Sequence, residues 1–356
     1  MPRGVARYRV WDAAVAGSAH VITPCGDVQE VAAEMVEELV RRVCDAAPPD
    51  GRALYRLVVA ARRDPTVLAP HLHRLLEAGV MSPSDLYRGA NSDMQRELVD
   101  LVDSGVEPDQ LDLLLRAVAQ TGGAVAESAF RRWRVQAPPS ADRLRSPVGE
   151  YTTEGGWTLA SDGRRRLCSQ RAYALVPTRP KDAPVSGGPA AANCPQCGNG
   201  LWSVLNIDTA DPRVDAALAH TGWRGRLRVI TCYRCACYGT VFCEVAPDGA
   251  VRWSPHTKPP EYVDDGDWAM PSGWLTAGPA RSTPYQSDAW AAGGSTLGGH
   301  PDWVQGADYP LCPSCGVPMA FLALLHGGDF DEWGEGAHYV FLDARCRLAA
   351  VNYQQS

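Results

Sequence analysis

The sequence predicts a multidomain fold: an all-α helical N-terminal domain, HEAT/armadillo-like or a bundle, followed by an α+β, strand-rich, internally duplicated domain built on cysteine knuckles. Three observations carry this. Apolar residues recur at helical spacing up to residue 136. Beyond Ala137-Pro-Pro-Ser the pattern changes to short apolar runs among abundant Gly and Pro. Two Cys-Pro-x-Cys-Gly segments, at 194–198 and 312–316, each open a run of strand length.

Residues 1–26 give little: a short strand at Val5–Trp11 or an irregular lead-in. From Asp27, with Glu30 placed as in a capping box, Val28, Val31, Met35, Leu39 and Val43 mark a first helix. Further helices follow at Arg52–Arg63, Val67–Ala78, Met94–Asp103, Gln110–Gln120 and Ala124–Trp133, punctuated by Gly79, Gly105, Pro108 and Gly122. Residues 137–193 read as a strand-and-linker entry to the second domain. Trp157–Leu159 and Ala172–Val176 are its strands, and the Pro/Gly/Ala-rich run 177–192 is a connector.

Residues 194–249 form the first knuckle repeat. Cys194/Cys197 and Cys232/Cys235 are two Cys-x-x-Cys turns, each following or preceding an apolar strand. Four thiolates at such spacing suit a tetrahedral zinc ion with Zn–S near ~2.3 Å. Cys237 offers a substitute for Cys235 if the turn is shifted. Residues 312–356 repeat the unit: Cys312 and Cys315 match Cys194 and Cys197, and Cys346 matches Cys235, but Asp343 stands where Cys232 stood. A carboxylate ligates zinc, though as a harder donor than thiolate. The second site therefore reads as a weakened zinc, an open zinc or a lost site, with His326 or His338 as other sources of a fourth ligand. One zinc is expected at the first repeat and a second is left open.

Residues 250–311 connect the repeats and are rich in Trp, Gly and Pro. They contain Leu297-Gly-Gly-His-Pro-Asp-Trp-Val-Gln305. Gly298 and Gly299 permit a left-handed turn, Pro301 stiffens its exit, and Trp303 can plug a core. That stretch, the Cys-Pro-x-Cys-Gly-x-Pro-Met-x-Phe-Leu after it and the terminal Tyr-Gln-Gln-Ser together resemble the bacterial YwqG-like family. This family is similar in turn to the eukaryotic programmed-cell-death-protein-2 proteins. The resemblance covers roughly residues 150–356. It implies a fold of two similar halves with zinc knuckles, and it marks Gly298, Gly299, Pro301, Trp303 and Gln305 as signature positions open to an interaction role. The eukaryotic relatives act as chaperones of a small-subunit ribosomal protein, so the resemblance implies a protein client.

Charge bounds the partner. The 356 residues carry a net charge of −7. Residues 1–136 hold 16 Arg and 19 acids, a balance of −3; the remainder holds 18 Lys plus Arg and 22 acids, a balance of −4. Phosphate neutralisation drives nucleic-acid binding, so this balance argues against nucleic acid and suits a basic client; that the client is bound in a chaperone-like or immunity-type role is what the resemblance implies. Arg224, Arg226 and Arg228, alternating on one strand face, are the best nucleic-acid patch and keep a zinc-ribbon reading as the alternative. No His-Glu-x-x-His or deaminase motif occurs, so no enzyme and no small-molecule substrate is expected. A zinc-dependent enzyme through Asp343 is the remaining alternative. With no sustained apolar run at the N-terminus or elsewhere, a cytoplasmic location without membrane contact is expected, its thiols reduced and held by metal.

Overall fold

A computed structural model describes residues 33–160, 163–182, 184–261, 270–331 and 334–355. The expected strand at Val5–Trp11, the Asp27/Glu30 cap, and Val28 and Val31 lie outside the described residues. The chain divides into two compact units, Met1–Leu167 and Cys168–Ser356. Among the described residues no helix is long and apolar enough to cross a membrane.

The first unit holds α1 (Ala33–Asp45), α2 (Gly51–Arg63), α3 (Leu72–Glu77), α4 (Ser92–Asp103), α5 (Pro108–Thr121), α6 (Ala124–Val135) and a short α7 (Tyr151–Glu154). Local chemistry sets their ends. The Asp50 side chain accepts from the N–H groups of Arg52 and Ala53 to start α2, and Asn91 does the same for α4 with Asp93 and Met94. Pro108 opens α5, and Gly122, at φ 58°, ends it in the left-handed region. The helix expected over Val67–Ala78 splits. Pro70 cannot donate an α-helical hydrogen bond, and Pro65–His71 winds as a 3-10 helix ahead of the six-residue α3. Leu57, Leu68, Leu75, Leu98, Leu114 and Phe130 meet in one core.

The strands of this unit, β1 (Trp157–Leu159) and β2 (Arg165–Leu167), form an antiparallel hairpin. Trp157 is fully buried in the helical core. Its Nε1 donates to the Ala119 carbonyl at 2.9 Å, and its ring meets Phe130 edge-on at 5.5 Å.

In the second unit every pairing between described strands is antiparallel. Its strands are β3 (Ala172–Pro177), β4 (Ser186–Gly187), β5 (Pro189–Asn193), β6 (Gly200–Asp208), β7 (Arg226–Thr231), β8 (Val241–Val245), β9 (Val251–Trp253), β10 (Trp274–Ala280), β11 (Thr296–Gly298), β12 (Ala320–His326), β13 (Ala337–Asp343) and β14 (Leu348–Gln354). Its described α-helices are α8 (Pro212–Leu218) and the one-turn α9 (Tyr233–Ala236). Nine strands make one sheet in the order β4-β10-β3-β11-β12-β13-β14-β8-β9, and three make another, β5-β6-β7. Successive residues of β13 serve opposite faces. Val340 and Leu342 join the core shared with Trp202, Val204, Leu227 and Val229 of the small sheet, whereas Tyr339 and Phe341 join a second core with Trp303, Met319 and Cys312. Burial on both faces explains why β12, β13 and β14 read as continuous apolar runs rather than alternating ones.

This architecture corrects the expected fold class on two counts. The N-terminal region is helical from Ala33 to Val135, but it is not a stack of similar helix pairs: its helices are uneven and interrupted by 3-10 turns, and its core runs past residue 136 to take in Trp157 of the β1–β2 hairpin. The strand-rich unit is not an α+β domain of two successive similar halves. β8, the last strand of the first knuckle repeat, pairs not with β7 but with β14 at the end of the chain, through Val241↔Val351 and Glu244↔Leu348. β10 and β11, from the stretch expected to be a connection, lie inside the large sheet, with β11 bridging β3 and β12. A strand edge left open is costly and sticky, and these long-range pairings close the edges that two separate halves would leave.

Candidate metal centres

Two clusters of side chains have metal-ligand geometry. The first gathers Cys194, Cys197, Cys232 and Cys235; the second gathers Cys312, Cys315, Asp343 and Cys346. In each, the ligand atoms all lie within 4.8 Å of one another. All eight residues singled out by spacing are thus brought together in two sets of four.

The backbone builds both first halves in the same way. The Cys194 N–H donates to the Asn199 carbonyl at 2.7 Å, and the Cys312 N–H donates to the Val317 carbonyl at 2.9 Å. The N–H groups of Gly198 and Gly316 return to the carbonyls of Cys194 and Cys312 at 2.9 and 2.7 Å. Both glycines sit at positive φ, 77° and 71°, which closes the turn without a Cβ penalty. The second halves also match. The Cys235 N–H points at Cys232 Sγ, 3.5 Å away, and the Cys346 N–H donates to Asp343 Oδ1 at 3.0 Å. Asp343 therefore occupies the structural place of Cys232.

The first cluster is the better enclosed. Cys194, Cys232 and Cys235 are no more than 3% exposed. Its sulfur pairs stand 3.8 Å (Cys194–Cys235) and 3.4 Å (Cys197–Cys232) apart. A tetrahedral ion with metal–sulfur bonds of ~2.3 Å places sulfurs about 3.8 Å apart, so the spacing fits a four-coordinate metal. A disulfide would need sulfurs ~2.05 Å apart, and all four cysteines are free. A hydrogen bond from the Cys232 thiol lowers the Cys194 pKa to about 5, and the same bond raises that of Cys232. Burial pushes Cys235 up to about 12. Negative charge thus concentrates on one sulfur, and recruiting every thiolate requires a cation that displaces protons.

In the second cluster Cys312 is buried but Cys315 is exposed. The charge sits on Asp343. Burial opposes it, yet hydrogen bonds from Cys315 (Sγ to Oδ2, 3.0 Å), the Cys346 N–H and Cys312 hold its carboxyl at about 2. Burial and the neighbouring Asp343 raise Cys312. Cys346 is raised to about 12, by desolvation and by hydrogen bonds with Cys315 and Cys312. The donor set, three sulfurs and one carboxylate oxygen, still offers four ligands to a metal. The other cysteine and histidines considered lie elsewhere. The Cys237 thiol donates to the Tyr233 carbonyl, His326 Nδ1 accepts from the Gly328 N–H, and His338 is buried among Trp202, Tyr233 and Tyr353.

The signature residues form a fastener beside the second cluster. Gly298 and Gly299 have φ of 73° and 71°. A Cβ on Gly298 would run into the Arg171 carbonyl, and one on Gly299 into the Pro284 carbonyl. Pro301 is half-buried. Trp303 stacks on Tyr339 at 4.5 Å and 21°. The N–H of Gln305 donates to Gln354 Oε1 at 3.0 Å and its Nε2 to the Gln355 carbonyl at 2.6 Å, tying the loop to the end of β14. Sequence reasoning missed the receiving residues: Tyr339, whose hydroxyl donates to the Asp302 carbonyl, and Asp329, whose carboxylate accepts from the N–H groups of Gly293 and Ser295. The terminal Tyr-Gln-Gln run was the available signal for Gln354.

No family model matches the chain, and no solved structure matches it. Over 289 residues the chain is 33% identical to a protein of Salmonella typhimurium (strain LT2) described as uncharacterized protein YpfL. The match covers 79% of this chain and 66% of that protein, just under two thirds of the relative's length.

Proposed function

We propose that the chain is a zinc-containing protein-interaction module, a chaperone-like or immunity-type binder of a basic protein client in the cytoplasm, without catalysis of its own. The observation that carries the structural-zinc part is the first cluster: four sulfurs at tetrahedral spacing, three of them buried, with every coordination position filled from the chain. Closed sites of this kind stabilise folds, whereas catalytic zinc keeps a position for water. The net charge of −7 suits a basic client, and the stretch at 297–322 that resembles the YwqG-like proteins supports the same reading. Free thiols throughout the described residues accord with a reducing compartment. Nucleic acid is disfavoured because the arginine stripe is divided: Arg224 pairs with Asp215 at 2.9 Å, apart from Arg226 and Arg228, which line a pocket. Elemental analysis is expected to return close to two zinc per chain, and quantitative affinity purification at low and high salt a basic protein in stoichiometric amount. A metal-free chain would overturn the zinc assignment, and an eluate without an enriched protein would overturn the client.

A further inference from the structure

The pocket that receives Arg226 and Arg228 has no place in the reading above. It is a cavity of about 460 Å³ in the second unit, bordered by β4, β6 and β7. Its size falls in the range of small-ligand sites, ~300–1,000 Å³. Arg226 and Arg228 line it from alternate positions of β7. In the register with β6, Arg228 stands opposite Asn206 and Arg226 opposite Asp208. An arginine on a sheet face normally meets a carboxylate across the strand pair. Here Arg228 faces an amide instead, and among the described residues it has no ion-pair partner. Arg226 Nε lies 3.8 Å from Asp208 Oδ2, too far for a hydrogen bond. The lining thus carries two positive charges against one negative, a local surplus in a chain of net charge −7.

A second observation points to a ligand. Ser186, on β4 in the pocket wall, is 2% exposed, and its hydroxyl has no hydrogen-bond partner among the described residues. A buried hydroxyl left unpaired costs about 1–3 kcal/mol, and an anionic oxygen entering beside it would satisfy it. Ser203 and Asn206 add a hydroxyl and an amide. Trp274, on the strand paired with β4, and prolines 180, 184 and 189 add an apolar wall. The wall is held close: a Cβ on Gly188 would fall within the Trp274 ring.

We propose that this pocket binds a small phosphorylated metabolite: a phosphoryl group held by Arg226, Arg228 and Ser186, on an apolar or aromatic body laid against Trp274. Guanidinium forks match the tetrahedral oxygens of phosphate bidentately, and the surplus positive charge of the lining favours an anionic group. The site is independent of both metal clusters and of any client.

Calorimetry on the zinc-loaded full chain, in low-salt buffer free of phosphate, tests this with phenyl phosphate, inorganic phosphate, benzoate and phenol as probes. Phenyl phosphate is expected to bind saturably, inorganic phosphate more weakly, benzoate weaker still, and phenol not at all. Arg228→Ala and Arg226→Ala are each expected to weaken phenyl phosphate by about tenfold or more, and Arg228→Lys by less. Ser186→Ala is expected to weaken it by several-fold, and Arg252→Ala, outside the pocket, to leave it unchanged. Zinc content and thermal midpoint establish that each variant is folded; should Arg228→Ala fail to fold, Arg226→Ala and Ser186→Ala decide. The proposal is overturned by an absence of saturable heat with phenyl phosphate. It is equally overturned if benzoate or phenol binds as tightly, or if folded pocket variants keep wild-type affinity.

Discussion

The two metal clusters share a backbone and differ in what surrounds it. Their knuckle turns share two backbone bonds and a glycine at positive φ: the first cysteine donates to the carbonyl five residues on, and the glycine donates back to the carbonyl of the first cysteine. Yet one presents four sulfurs in a nearly closed nook, and the other three sulfurs and a carboxylate with Cys315 open to solvent. The turn therefore dictates where ligand atoms stand, while the fourth residue and its burial dictate how firmly an ion is kept. Metal affinity and fold geometry are separable properties here, because Asp343 keeps the hydrogen bond from residue i+3 that Cys232 makes in its own cluster.

The sharpest way to break this comparison is to remove one sulfur from each cluster. Cys194→Ser is expected to lose one zinc and most of the ~10–16 kcal/mol that a structural zinc contributes to folding, abolishing the cooperative thermal transition of the sheet-rich unit. Cys315→Ser, in the exposed cluster, is expected to release its ion while leaving that transition in place. Paired metal analysis and circular-dichroism melts check both; equal damage from the two would erase the distinction. Next in size is Trp303→Ala. Its stacking on Tyr339 braces the sheet face against which Cys312 packs, and loss of a half-buried tryptophan should cost about 2–3 kcal/mol, read as a lower urea midpoint.

A pH prediction probes the contact between strands of the two clusters. His338 on β13 meets Trp202 on β6, at 5.2 Å, and burial lowers its pKa to about 3, well under the ordinary value near ~6.5. The unfolded chain then takes up a proton that the folded chain refuses. The stabilisation is complete above about pH 6.5 and is lost as pH falls toward 3, by about 1.4 kcal/mol per unit. Wild type should lose about 2 kcal/mol from this group between pH 6.5 and 5. His338→Phe should show a shallower slope by that amount in urea titrations, and an unchanged slope would refute the assignment. His220, also lowered by burial, remains in both proteins and cancels. The smallest effect sharpens the comparison directly: Asp343→Cys should raise zinc affinity of the second cluster about tenfold, or about 1.4 kcal/mol, in chelator competition.

What could be read from the sequence follows the range of the interactions involved. Each Cys-x-x-Cys turn is a local object, so its residues announce themselves within five positions, and Asp343 was identifiable from its place before Cys346. Helices α2, α4, α5 and α6 were equally visible, because caps and periodicity are local; Pro70 was the visible sign that Val67–Ala78 would break. Strand partners were not visible. β11 has three residues, and it becomes a strand because β3, some 120 residues earlier, and β12 lie on either side of it. Trp157 was read as a strand residue, correctly, but nothing near it indicates that its ring belongs among helices. The arginines of β7 were visible as a stripe; β4, carrying Ser186, and β10, carrying Trp274, which convert two of them into a pocket, come from other parts of the chain.

β8 crossing to β14 has a consequence for how the protein divides. A cut between Trp253 and Trp274 would separate β3, β4 and β8 from β10, β11 and β14, with which they share hydrogen-bonded ladders. Each fragment would retain one complete set of metal ligands and yet lack neighbours for several strands. The topology makes such fragments complementary halves of a split protein: unable to close their edges alone, and able to recover one sheet when mixed.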